Sequence, residues 1–123
     1  MKKITYYILK DKIPIATEDV AEWANFFGEE NRQVDRTIIF ENNAQVSTVF
    51  LGIDHSFSKE DNNLPIVFET MVFSDDININ NYQERYSTWD EAQEGHNRIV
   101  KAIREDTLFE EKRKKLVLNL KKS

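Results

Sequence analysis

Thr88 and Glu91 stand at T-x-x-E spacing, and that spacing constrains this chain more than any other feature. In a capping box the threonine hydroxyl accepts from a backbone N–H one turn in, and the glutamate carboxylate reaches back to the N–H of the cap. Behind the cap, Trp89, Ala92, His96, Ile99, Val100 and Ile103 recur at three- and four-residue intervals and so share one helix face. A helix with so definite a start and so continuous an apolar stripe must be buried against something. His96 lies within the stripe, so its imidazole is expected to face the core. A histidine in that position ordinarily stays neutral and bonds to a nearby polar group.

The rest of the chain supplies a sheet for that helix to lie on. Residues 4–9 read as a first strand, broken over 11–14, where Pro14 cannot donate a ladder hydrogen bond. Thr17 is the expected N-cap of a short helix that uses Val20, Trp23, Ala24 and Phe27, with Gly28 as its stop. Residues 34–40 and 45–54 read as strands joined by a turn at 41–44, where asparagine tolerates positive φ. Residues 56–64 are polar and loop-like, 65–73 form a third strong strand, and 82–87 form a short last one. Strands 45–54 and 65–73 carry apolar residues on both faces, which places them mid-sheet with cover expected on each side. The expectation is an α+β fold, an antiparallel sheet of about four to five strands packed with two to three helices. A single domain over 1–106 is followed by a basic helical extension, 107–123, with Phe109, Leu116, Val117 and Leu120 as its apolar face.

A chain of 123 residues is long enough for one core and too short for two. The absence of cysteine excludes disulfides and thiolate chemistry, and no apolar run approaches the roughly 20 residues of a membrane span. The expectation is a soluble intracellular protein. Its net charge of −5 hides an asymmetry, because residues 112–123 carry six basic and no acidic side chains and leave −11 on the preceding 111. An acidic body repels nucleic acid and speeds encounter with basic protein surfaces. The basic tail, Lys112, Arg113, Lys114 and Lys115 and then Lys121 and Lys122, is the part that could touch phosphates, although cations at a helix C-terminus also oppose the helix dipole.

Candidate chemistry is sparse. Asp54 and His55 close a central strand, where scaffolds often present functional groups, but regular alternation points them to opposite faces. The plainer reading makes Asp54 a turn cap and His55 a surface residue. Glu69 interrupts the apolar run V-F-E-T-M-V-F and needs either a basic partner such as Arg36 or Arg85, or a raised pKa. With His96 these residues would suffice as ligands for a small metal-dependent hydrolase, yet no pair shows H-x-x-x-H or H-E-x-x-H spacing. No metal or other cofactor is indicated. With three glycines no phosphate-binding glycine loop can be built, and G-x-S-x-G is absent. Ser47, Thr48, Ser87 and Thr88 lack a neighbouring base and read as packing and capping residues. Tyr82, Tyr86 and Trp89 gather near Arg85 and could anchor a protein partner or form the edge of the core.

V-S-T-V-F-L-G-I-D-H-S-F (46–57), P-I-V-F-E-T-M-V-F (65–73) and E-R-Y-S-T-W-D-E-A-Q-E-G-H (84–96) together resemble a family of small bacteriophage and prophage proteins of unassigned function. The likeness extends to Glu22, Trp23 and Phe27, spans about residues 4–104, and stops short of the basic extension. It implies a phage context in the host cytoplasm or the virion, and it brings no catalytic residue. The expectation is an accessory protein that binds a phage or host protein with a basic surface, as a virion component or an inhibitor, with self-association also compatible.

Overall fold

In the computed structural model the described residues are 4–27, 32–56 and 64–108. Gly28, most of the polar loop, and the basic extension with Lys112, Arg113, Lys114 and Lys115 lie outside them.

Asp11 and Lys12 both adopt positive φ, 51° and 69°, which makes the tight two-residue turn that suits the twist of a hairpin. The turn folds β1 (Tyr6–Lys10) onto β2 (Ile13–Thr17), with Lys10 opposite Ile13 and Leu9 opposite Pro14. This corrects the expectation that Pro14 breaks the chain. In such a hairpin the pair beside the turn exchanges both hydrogen bonds and the next pair exchanges none. Pro14 therefore directs its missing N–H to the outer edge, where no ladder bond is lost.

The cap of α1 (Val20–Phe27) is also corrected: Asp19 Oδ1 accepts from the N–H of Ala21 and Glu22, while Thr17 Oγ1 accepts from Asp19. The Trp23 indole donates to the carbonyl of Gly52, which also accepts from Tyr7. Gly52 has φ 78°, and a Cβ there would stand 2.0 Å from the Phe27 ring, so only glycine fits. This one residue locks hairpin and helix to the end of the main sheet.

That sheet is antiparallel in the order β3 (Gln33–Ile39), β4 (Ala44–Phe50), β5 (Phe68–Ser74), β6 (Gln83–Tyr86). A 3-10 turn at Phe40–Asn42 and Asn43 at φ 46° join β3 to β4. As expected, β4 and β5 are central, but among the described residues only one face is covered. On it lie Val46, Thr48, Phe50, Phe68, Thr70 and Val72, all buried beneath α2 (Trp89–Arg104).

The capping box of α2 is complete, with Glu91 N–H donating to Thr88 Oγ1 and Thr88 N–H to the Glu91 carboxylate. Its buried face is Ala92, Gly95, His96, Ile99, Ala102 and Ile103. At the far end Asp106, at φ 59°, closes a Schellman motif in which Thr107 N–H donates to Ala102 and Asp106 N–H to Ile103. The core continues past the expected boundary at 106, since Leu108 is buried with Ile39, Ala44, Val72 and Ile79. No helix among the described residues is long and apolar enough to cross a membrane.

Candidate functional site

Beneath α2 the sheet presents a polar row inside an apolar stripe. β4 reads Val46-x-Thr48-x-Phe50 and β5 reads Phe68-x-Thr70-x-Val72, and antiparallel register sets Thr48 opposite Thr70. Their hydroxyl oxygens lie 2.5 Å apart. His96 comes down onto this pair from the helix, with Nδ1 2.7 Å from Thr48 Oγ1 and Nε2 2.8 Å from Thr37 Oγ1 on β3. The imidazole is 1% exposed, and both threonines of the pair are fully buried. At the other end Tyr86 Oη lies 3.1 Å from Thr70 Oγ1 and 3.2 Å from the carboxylate of Glu84. Glu84 also accepts from Tyr82 Oη at 2.5 Å and makes a close two-pronged ion pair with Arg98 of α2. Among the described residues no buried side-chain nitrogen or oxygen is left without a partner.

Electrostatics fix the protonation states. Burial holds the His96 pKa below its ordinary value, and the Asp35 carboxylate, 3.7 Å from Nε2, only partly opposes that. The ring is neutral, so one nitrogen donates and the other accepts. Burial likewise raises the Tyr86 phenol, assisted by the negative charge of Glu84, and keeps its proton in place. Each hydroxyl between them owns a single proton. With Tyr86 donating to Thr70, donation runs on through Thr48 to His96 Nδ1, and Nε2–H donates to Thr37. The Tyr86 proton also faces the Glu84 carboxylate, which accepts from the same hydroxyl.

Gly95 makes room for this arrangement. A Cβ at that position would stand 2.2 Å from Tyr86 Oη, so the helix approaches the tyrosine only through a glycine. The need for Gly95 becomes visible only once the helix and β6 are placed together. The threonines left a trace in the sequence, a polar residue at the same point of two apolar stripes, which reads as a site once the strands are in register.

The row stabilises the docking of α2 and offers little to a substrate. Its members spend their hydrogen-bonding capacity on one another, and the reach to the surface is through Thr37. That residue lines a cleft of about 420 Å³ with Asn97, Val100, Lys101, Arg104 and Glu105.

The other expected site residues are scattered. Asp54 Oδ1 accepts from the N–H of Ser56 and Ile66; burial would raise its pKa, but these bonds outweigh it and hold the carboxyl low. Asp54 is thus a loop cap, and His55 is tied through its own N–H to the Ile66 carbonyl. Glu69 pairs with Arg85 at 2.9 Å on the sheet face opposite His96. Asp54, His55, Glu69 and His96 therefore do not converge, and no group of three potential metal ligands occurs among the described residues.

Of the two readings of the aromatic group, the packing matches the edge of the core. Tyr82 is buried in the core and Tyr86 belongs to the row, while Arg85 projects from the other face. Trp89 lies half-buried beneath the Lys12 ammonium, 5.3 Å from its ring.

A second concavity lies between the hairpin and α1. It has a volume of about 560 Å³ and is lined by Ile4, Tyr6, Ala16, Thr17, Glu18 and Val20. Ile4 and Val20 are exposed there, as are Ile13 and Ile15 on the neighbouring strand. The carboxylates of Asp11, Glu18, Asp19 and Glu22 are carried by the same stretch of chain. Compared with protein-family models, curated proteins and solved structures, the chain matches none.

Proposed function

We propose that this is a phage-encoded accessory protein that works by binding another protein, and that the groove between hairpin and α1 is its contact surface. The phage context rests on the resemblance of residues 46–57, 65–73 and 84–96. The mode of action rests on one observation, exposed Ile4, Ile13, Ile15 and Val20 on a stretch that carries four carboxylates, Asp11, Glu18, Asp19 and Glu22, against two lysines, Lys10 and Lys12. Fully burying one such side chain yields about 1.5–3 kcal/mol, so completing the burial of four that are already half covered yields about 3–6 kcal/mol. Association itself costs about 4–15 kcal/mol, so apolar contact alone does not hold a complex. Charge must add to it, and the acidic rim selects a partner whose apolar projection is flanked by lysine or arginine.

Such a partner is a capsid or tail protein if the molecule is a virion component, or a host defence or nucleic-acid enzyme if it is an inhibitor. Its location is then the virion or the host cytoplasm. The test is affinity capture with the tagged full-length chain from phage-infected cells, beside the Ile15→Glu/Val20→Glu variant. A partner retained by the native chain and lost by the variant supports the reading. Identical capture by both, or a partner that also survives with an acidic surface at its contact, overturns it.

A further inference from the structure

The strand β2 is paired along one edge and open along the other. Counting from the two-residue turn, the pairs that exchange hydrogen bonds are Lys10 with Ile13, Ile8 with Ile15 and Tyr6 with Thr17. The residues between them, Tyr7 and Leu9 on β1 and Pro14 and Ala16 on β2, direct their main-chain groups away from the hairpin. On β1 that outer edge is used, since the Tyr7 N–H donates to the Gly52 carbonyl. On β2 no described residue uses it, and the two-stranded sheet ends there. The open edge therefore offers three groups, the carbonyls of Pro14 and Ala16 and the N–H of Ala16. Ala16 is exposed, and Ile13 and Ile15 on either side of Pro14 are 59% and 39% exposed. Ala16 and Thr17 also line the groove beside α1, so the edge runs into that groove.

We propose that the partner adds an extended, basic-ended segment to this edge as a third strand, held by main-chain hydrogen bonds to Pro14 and Ala16. The inference rests on the reading of the groove as the contact surface and deepens it, by naming the form in which the partner binds. Ile13 and Ile15 share one face of β2, so alternate side chains of the incoming strand stand beside them and are apolar. Charge sets the two ends. The strand itself is uncharged, Asp11 precedes it, and Glu18 and Asp19 follow it, so lysine or arginine at each end of the segment meets a carboxylate. A second copy of β2 fits the edge less well. Paired antiparallel about Ile15, it sets Pro14 opposite Ala16 twice, and each pair loses one of its two hydrogen bonds because proline has no N–H. Both Ala16 carbonyls then go unmet. Self-pairing also brings together two chains that each carry a net charge of −5. A foreign basic strand meets all three groups and is attracted by the charge that repels the copy.

The probe is the end-blocked peptide Lys-Val-Thr-Val-Thr-Val-Lys, added to the full-length chain while amide exchange into heavy water is followed by NMR. Exchange at the Ala16 N–H should slow about tenfold at a peptide concentration about ten times its Kd, because only the free fraction exchanges. The same peptide with glutamate in place of both lysines should give no such protection. Ala16→Pro removes the outward donor and nothing else from the hairpin, since Ala16 faces Tyr7 in a pair that exchanges no hydrogen bonds. That variant should bind the lysine peptide about three- to tenfold more weakly, the loss of one main-chain hydrogen bond. Binding that leaves exchange at Ala16 unchanged overturns strand addition, and so does a lysine peptide that fails to bind at millimolar concentration. Protection of Ala16 that rises with protein concentration in the absence of peptide gives the edge to a second copy and also overturns it. The groove reading fails separately, on partner capture that Ile15→Glu/Val20→Glu leaves intact.

Discussion

Replacing Thr48 by valine tests whether the buried row holds the helix to the sheet. Valine has almost the shape of threonine, so the change leaves no cavity, and in a buried strand the extra methyl would by itself stabilise. What is lost is the hydroxyl that joins His96 Nδ1 to Thr70 Oγ1. Thr70 keeps Tyr86 as a partner, and His96 keeps Thr37, but the imidazole Nδ1 is stranded in a site that is 1% exposed. Leaving one buried polar atom unsatisfied costs about 1–3 kcal/mol, set against less than about 1 kcal/mol gained from the methyl. A net loss of about 1–2 kcal/mol follows. For a domain of this size the urea slope is about 1–3 kcal/mol per M, so the midpoint should fall by about 0.5–1 M with an unchanged slope. In a His96→Leu background the same substitution should cost nothing, because no ring nitrogen remains to be stranded, and the double-mutant cycle isolates that difference. A native-background Thr48→Val chain as stable as the parent, or more so, would refute the assignment of stability to the row.

Two further outcomes follow from the same site. The lowered pKa of His96 means that the unfolded chain binds more protons than the folded one below neutrality. Its contribution is present above the unfolded value of 6.5 and is lost as the pH falls through the lower folded value, so urea midpoints should decline from about pH 7 toward about pH 5, more steeply than in His96→Gln. Gly95→Ala should destabilise by about 1–2 kcal/mol in thermal melts: the helix gains about 1 kcal/mol from alanine, but the new methyl displaces Tyr86 from Thr70 and Glu84. A raised melting temperature would show that the tyrosine moves aside freely.

Features written locally were legible in the sequence. The start of α2 was, because Thr88 and Glu91 are three residues apart and the stripe that follows has a single period. The central strands were too, since apolar residues on both faces of β4 and β5 fit no edge position, although only one of those faces has described cover. The first hairpin was not, because a turn of Asp11 and Lys12 carries no glycine or asparagine and Pro14 argues against a strand until its outward orientation is known. His96 could be placed in the core from its helix position alone. Its partners could not, because Thr37, Thr48 and Thr70 come from three strands and meet only through register. Glu69 looked conspicuous as a carboxylate in an apolar run, yet it faces away from His96 and is answered by Arg85 from the neighbouring strand.

The row between Tyr86 and His96 has a property that none of its members has alone. Each hydroxyl has one proton to give and the imidazole has one, so once Tyr86 donates to Thr70 every later bond has a set direction, through Thr48 to Nδ1 and from Nε2 to Thr37. Turning hydroxyls cannot reverse this order, because reversal would also require one proton to leave Nε2 and another to reach Nδ1. A phenol at one edge of the sheet thus sets the tautomer that a buried histidine holds near the other.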